Sequence, residues 1–387
     1  MSVPTKTLIA TRLFTPEVGA AAFRLQALAD GLVEDGLDVE VFSTTPPRSA
    51  GPRRDSVRVR RWPVLRDAGG NVRGYVQYLS FDVPLFFRLL LSRADVVVSE
   101  PPPTTGLVVA VSSLLRRRPF VYYAADIWSD ALQAMNVGGP VHKVLRGIEG
   151  FVLRRARAVI AVSDGVADQV ASFGVPRDRI HSVGNGIDMS TFVPDGPVAD
   201  QNAKPYFVYT GTMSEWQDAG IFIKALSQLP ANVELRFFGQ GSDEEALKAL
   251  AEREAPGRVH FGGVIPAEEA ARWIRGAAAA VVSIKPGQGY DFAKPTKIYA
   301  AAACGTPVLY AGTGDAAELV SDGGLGAASD FTPDAVASAM RAVLDDPSFG
   351  GTQSRDGRVD WVRENASLAA AGRRAAAVVR TAAHGAG

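Results

Sequence analysis

The chain has one cysteine, Cys304, in 387 residues. That excludes an internal disulfide framework and fits a reducing compartment. No uninterrupted apolar run approaches the roughly 20 residues of a membrane-spanning helix. The opening MSVPTKTLIAT lacks the basic-then-apolar plan of a secretory signal, so a cytoplasmic protein is expected, with membrane contact confined to the inner face. Lysine is scarce, eight against 33 arginines, and the net charge is zero. The remainder is ordinary for a globular protein, 47% apolar and 21% charged, but too long for one comfortable core. Two domains are expected.

The neutral total hides an uneven distribution. Residues 1–190 hold 23 basic and 18 acidic side chains, and the rest of the chain reverses these numbers. Arg48–Arg118 alone has 13 arginines against five acids. No interleaving of aromatic with basic residues and no nucleic-acid motif accompanies it, so nucleic acid is not expected. An anionic membrane surface or a phosphorylated acceptor fits better. An apolar helix expected at Val83–Leu91, with Leu85, Phe86, Leu89 and Leu90, would supply the apolar part of a peripheral membrane contact.

Apolar runs and helical periodicity alternate along the chain. Strands are expected at Lys6–Thr11, Val39–Phe42, Ala94–Ser99, Phe120–Ala124, Ala158–Ser163 and Ile180–Val183, with helices between them such as Ala20–Asp35 and Val141–Ala156. Strands joined by crossover helices imply a doubly wound, mostly parallel sheet. The proline-rich, aperiodic stretch Pro194–Pro205 reads as a linker, after which the pattern restarts at Tyr206–Thr210. The expected plan is one doubly wound domain over 1–193, a linker over 194–205 and a second such domain over 206–350. Helical residues 351–387 would return to the first domain.

The stretch that organises this plan is KPGQGYDFAKPTKIYAAAACGTPV, Lys285–Val308. It leaves the apolar run Ala279–Ile284, crosses a Gly/Pro loop and enters a helix at Pro295. Amides in the first turn of a helix lack intrahelical partners, and the helix dipole favours an anion there. Lys294 and Lys297, three residues apart, are both expected on one face of that turn. Together with Lys285 they outline a diphosphate subsite. At the other end of the chain, Gly19 opens the first helix, where backbone could approach a phosphate.

These motifs in this order resemble glycosyltransferase family 4, and within it the branch of bacterial surface-polysaccharide, lipopolysaccharide O-antigen and colanic-acid pathways. The resemblance rests on Phe14-Thr15-Pro16-Glu17-Val18-Gly19 with Arg24, on Asp126-Ile127-Trp128, and on Ala161-Val162-Ser163. It continues through Gly174-Val175-Pro176, Asn185-Gly186-Ile187-Asp188 and Tyr209-Thr210-Gly211, then Pro295-Thr296-Lys297 and Ala303-Cys304-Gly305-Thr306-Pro307-Val308. It implies the α/β GT-B fold, two doubly wound Rossmann-like domains facing each other across a cleft. It also implies sugar transfer from a nucleotide-sugar donor, with retention, onto a glycan or polyprenyl-diphosphate-linked acceptor. The nucleotide sugar is then a substrate and no cofactor is expected. The absence of Asp-x-Asp between apolar strands agrees with a metal-free site.

Carried over residue by residue, the resemblance puts Asp126 among the catalytic groups and Glu17, Arg24 and Trp128 on the acceptor side. Gly19, Gly211, Thr212, Lys285, Lys294, Thr296 and Lys297 fall on the donor side. The chain also departs from the family. Where members carry a Glu-x7-Glu pair it has Phe292 and Ala300, and where many place an Arg after the second-domain glycine it has Thr212. Two other readings therefore stand beside the transferase: a catalytically silent GT-B scaffold subunit, and a GT-B sugar-nucleotide epimerase.

Overall fold

The computed structural model of the chain describes residues 4–17, 19–47, 56–67, 72, 74–129, 139–200, 204–288, 290–291, 293–346 and 352–384. They form two compact units, residues 1–186 with 368–387 and residues 187–367.

Unit 1 is built on seven parallel strands: β1 (Lys6–Ala10), β2 (Asp38–Thr44), β3 (Arg58–Trp62), β4 (Val96–Ser99), β5 (Phe120–Ala124), β6 (Ala158–Ala161) and β7 (Ile180–Ser182). Their order is β3-β2-β1-β4-β5-β6-β7. Strands β4, β5 and β6 read VVVS, FVYYA and AVIA and are buried along their whole length. Continuous apolar runs of this kind suit parallel strands covered on both faces. The covering helices are α1 (Ala20–Glu34), α2 (Tyr75–Leu91), α3 (Pro103–Arg116), α4 (Pro140–Arg155) and α5 (Asp164–Ser172). Ser163 caps α5 by accepting from Val166 N (3.2 Å). Strand β3 and helix α3 are absent from the sequence reading. RVRRW lacks an apolar face, and the Pro101-Pro102-Pro103 run looks like loop until its last member starts a helix.

Unit 2 has six parallel strands: β8 (Tyr206–Thr210), β9 (Glu234–Phe238), β10 (Val259–Phe261), β11 (Ala279–Ser283), β12 (Val308–Ala311) and β13 (Gly326–Ser329), ordered β10-β9-β8-β11-β12-β13. Helices α6 (Gly220–Leu226), α7 (Glu244–Glu254), α8 (Ala267–Gly276), α9 (Thr296–Ala303), α10 (Asp315–Asp322), α11 (Pro333–Asp345) and α12 (Thr352–Asn365) complete it. Two buried clusters lie in each unit.

The chain passes between the units at Gly186–Ile187 and at Ser367–Leu368. The first crossing precedes the proline-rich 194–205 stretch, whose described part belongs to unit 2. Arg275 of α8 holds it by donating to Val193 O and Pro197 O (3.1 and 3.0 Å). Helix α12 stays with unit 2, where Arg358 donates twice to Gly305 O (3.0 and 2.8 Å). The final helix, α13 (Leu368–His384), belongs to unit 1 and packs on α1. A side chain at Gly372 would meet Ala27 O at 2.2 Å, so the two helix backbones touch where they cross.

Each strand order reverses once, between β1 and β4 in unit 1 and between β8 and β11 in unit 2. Loops leaving the sheet on either side of such a reversal part from one another, and ligands bind in the crevice. Both candidate sites lie there.

Candidate functional site

In unit 1, a depression of about 560 Å³ opens over the carboxyl ends of β1, β4 and β5. Asp126 follows β5 and is exposed at its mouth. Burial against the surrounding protein raises its carboxyl above the ordinary range, while Arg24 and a hydrogen bond with Trp128 oppose that shift. Glu100, directly after β4, forms the floor. It accepts from the Thr11 hydroxyl (2.6 Å) and pairs with Arg24 (3.5 Å), both partners being at least nine-tenths buried. Desolvation pushes the Glu100 carboxyl upward, against Arg24. Arg12 lines the wall, stacked 3.8 Å from the centre of the Tyr78 ring, and among the described residues its Nε and Nη1 have no hydrogen-bond partner.

Sequence-predicted Glu17, Arg24, Asp126 and Trp128 all line this depression. They arrive in different states. Glu17 receives both guanidinium nitrogens of Arg66 (2.8 and 3.0 Å), so its oxygens are already engaged. Trp128 is fixed through its backbone, its N–H donating to buried Glu149 (2.9 Å). Gly19 caps α1 with an extended backbone, and a side chain there would strike Leu13 at 2.9 Å. Its smallness thus makes room for Leu13.

Glu100, Arg12 and Tyr78 were not picked out from the sequence. Glu100 had the same signal as Asp126, a carboxylate immediately after an apolar strand. Its pairing with Arg24, 76 positions away, had none.

In unit 2, a depression of about 510 Å³ lies over the end of β8 and the start of α9. Pro295 takes the N-cap position with an extended ψ of 132°, so the helix begins one residue later than expected, at Thr296. This matters for the lysines. Lys297 is held in the first turn and Lys294 precedes the helix, yet both line the depression. Lys294 is exposed and pairs with Asp315 (3.4 Å), and Lys285 pairs with Asp218 (3.3 Å). Lys297 lies 3.7 Å from the centre of the Tyr209 ring and donates to Gln217 Oε1 (3.3 Å). Among the described residues no carboxylate touches it. Burial pushes its ammonium down to about 7, with no opposing charge to restore it.

The loop after β8 completes this pocket with Gly211, Thr212, Trp216 and Gln217. Gly211 has φ 112°, which disfavours a side chain there, and Lys297 Cε packs 3.5 Å from where a Cβ would sit. Gly239, after β9, backs the same loop, since a Cβ would sit 2.0 Å from Gly211 O. Tyr209 braces the loop by donating to Thr212 O (2.7 Å). Thr296 and Ala300 also line the depression, while Phe292 lies outside the described residues. Gln217 and the Trp216–Tyr290 stack (4.7 Å) come from irregular loops, where no sequence pattern marked them. Among the described residues, no group of three or more His, Cys, Asp or Glu converges as a metal site would require.

Two family models match in tandem: a glycosyl transferase 4-like domain over residues 19–186 and glycosyl transferases group 1 over residues 204–346. A D-inositol 3-phosphate glycosyltransferase of Xylanimonas cellulosilytica is 29% identical over 272 residues, 63% of either chain. A GDP-mannose-dependent alpha-(1-6)-phosphatidylinositol dimannoside mannosyltransferase of Mycobacterium tuberculosis is 30% identical over 48% of this chain and 50% of its own. The chain thus spans less than two thirds of either relative's length. Among solved structures, Anabaena Alr3699/HepE in complex with UDP superposes with a TM-score of 0.61 at 16% identity, over 97% of this chain and 100% of that one. A glycosyltransferase from Rickettsia africae gives 0.61 at 14% identity, over 98% of each chain. The structural likeness establishes the two-domain α/β GT-B fold.

Proposed function

The chain belongs to glycosyltransferase family 4, and we propose that it transfers a sugar from a nucleotide-diphosphate donor to an acceptor hydroxyl, with retention and without a metal ion. The observation that carries this reading is Lys297, a half-buried, desolvated ammonium with no carboxylate partner among the described residues, at the first turn of a helix. Such a group is stabilised most by an anion that brings its own charge. Bound diphosphate would meet Lys297, the α9 dipole and the Gly211–Thr212 loop, and those groups would stabilise the charge that grows as the diphosphate leaves. Trp216 offers an aromatic surface beside it. In unit 1, Asp126 orients the acceptor hydroxyl or steadies positive charge on the sugar, with Arg24 and Glu100 fixed beneath.

Support for the substrate classes comes from similar proteins. HepE crystals hold UDP or UDP-glucose, and the curated relatives are named for inositol phosphate and for a phosphatidylinositol mannoside. A surface-glycan or lipid-linked acceptor is consistent with these. A second reading, the silent scaffold, has one observation in its favour: Ala300 lines the pocket where family members place the second carboxylate of the pair.

One experiment separates the two. Nucleoside diphosphates and nucleotide sugars are screened by thermal shift, and the binders are then assayed for hydrolysis and transfer. A true donor at 100 times its dissociation constant stabilises the protein by ~2.7 kcal/mol. Stabilisation with turnover supports the transferase, and stabilisation without turnover supports the scaffold. If no nucleotide stabilises the protein, the donor pocket is wrongly assigned.

A further inference from the structure

Helix α2 faces outward with almost no charge. Its 17 residues include two charged side chains, Asp82 and Arg88. Asp82 is buried and accepts from the Thr105 hydroxyl (2.6 Å), and Arg88 lies over Phe42 (4.1 Å). Leu85 and Leu89, expected from sequence to form a membrane face, are instead fully buried in the core. The outward arc is Val76, Leu79, Val83, Phe87 and Leu91, each more than half exposed, with Leu91 at 84%. At the helical period of 3.6 residues these five positions fall within about 120°. A surface helix normally carries polar side chains on that arc.

The C-terminal ends of α2 and α3 lie together. Arg118 donates to Leu89 O and Ser92 Oγ (3.0 and 2.7 Å), and Arg116 reaches Ser92 O (3.5 Å). Leu114 and Leu115 of α3 are exposed there, extending the apolar surface beyond one helix. Exposed Arg93, Arg116 and Arg117 edge the same end. Beside Leu91 and Arg93 opens a depression of about 420 Å³ lined by Lys6, Arg58, Arg60 and Arg88, with Asp38 and Glu40 as its acids. Arg58 and Arg60 share Glu40 (3.4 and 2.6 Å), and Arg88 Nη1 is enclosed with no hydrogen-bond partner among the described residues. Basic side chains outnumber the acids that could neutralise them.

We propose that this face docks peripherally on an anionic lipid bilayer, with Phe87, Leu91 and Leu115 entering the interfacial layer and the arginines meeting lipid phosphates. An uncharged apolar arc bordered by arginines matches the layered chemistry of a bilayer surface, apolar beneath and anionic above. A helix on that surface lies in its plane. In keeping with this, no helix among the described residues is long and apolar enough to cross a membrane.

The test is co-sedimentation of the full chain with vesicles of phosphatidylcholine alone or with a third phosphatidylglycerol, at low and high salt. The protein should sediment with the anionic vesicles and release as salt rises. Phe87→Ser with Leu91→Ser should weaken binding at least ~10-fold, since both apolar anchors are lost. Arg93→Gln with Arg116→Gln should weaken binding to anionic vesicles roughly 30-fold and leave the weak binding to neutral ones unchanged. All four positions are exposed, so thermal unfolding should match the wild type, and nucleotide-induced stabilisation should persist. The docking proposal and the donor assignment therefore fail independently. Wild-type protein that stays in the supernatant with both vesicles overturns the proposal, as does equal binding by all variants. A soluble dimer dispersed by Phe87→Ser, without lipid binding, would assign the face to a second copy and overturn it as well.

Discussion

The two crevices differ in how they treat charge. In unit 1, Arg24 is set against Glu100 and Arg66 against Glu17, with Arg12 stacked on Tyr78, so most of the cations are matched within the protein. In unit 2, Lys285 and Lys294 are similarly paired, but Lys297 is half-buried and, among the described residues, meets Tyr209 and Gln217 and no carboxylate. A paired set holds its geometry whether or not a ligand is present. An unpaired buried cation carries a desolvation cost that an arriving anion relieves, so ligand affinity depends on it. On the proposed reading, the first pocket orients and the second captures.

The comparison is broken most severely at Asp126. Its neighbours are held by other contacts, so Asp126→Asn should fold normally and lose transfer by ~10²-fold or more, the usual weight of a positioned acid/base group. Single-turnover rates with unchanged donor affinity check this. Wild-type turnover in the variant would remove Asp126 from the chemistry and leave the unit 1 pocket with a binding role only.

Next in size is Lys297→Ala. A hydrogen bond to a charged partner contributes roughly 1.5–3 kcal/mol, so nucleoside diphosphate binding should weaken by ~10- to 100-fold. The matching nucleoside, which has no phosphate, should bind almost as before. Lys297→Arg should restore only part of the loss, because a planar fork does not replace a compact ammonium. Calorimetry on the three proteins with both ligands decides the matter. Equal losses for nucleoside and diphosphate would mean that Lys297 supports the pocket wall and does not contact phosphate.

The smallest effect sharpens the comparison through pH. Burial lowers the Lys297 ammonium to about 7, so part of the free protein is uncharged there near neutrality. A bound diphosphate favours the charged form and raises that value. Binding should therefore take up a proton above pH 7, and affinity should fall between pH 7 and 9 by at most ~10-fold per pH unit. Folding has the opposite dependence. The unfolded lysine keeps its proton up to its ordinary value, so the penalty for enclosing the ammonium is full below pH 7 and shrinks as pH rises from there toward that ordinary value. Calorimetry in two buffers of different ionisation enthalpy should show the proton uptake in the wild type and none in Lys297→Ala.

Much of this architecture was legible in the chain. Strands such as Phe120–Ala124 are apolar throughout because both sheet faces are covered, and Gly and Pro mark their ends. The same rule located Asp126 and the Lys297 loop. It extends to Glu100, whose partner Arg24 sits on a helix 76 residues earlier and is brought near only by sheet order. Strand β3 was hidden because its side chains are mainly arginine, and its place rests on backbone pairing with β2.

Sequence alone determined the strand–helix alternation, the reversal-point loops and the lysine at a helix start, because each follows from local periodicity and backbone chemistry. Tertiary structure decided which charges were already spoken for. Lys285, Lys294 and Lys297 are chemically identical in the sequence, and only folding gave the first two a carboxylate and the third a buried ring and an amide. It also decided which side of α2 meets the core. YVQYLSFDVPLFFRLLL is apolar nearly all round, so periodicity could not choose between Leu85 and Leu89 and the arc of Val83 and Phe87. The packing of Leu85 and Leu89 against the sheet made that choice, and left the other side uncovered.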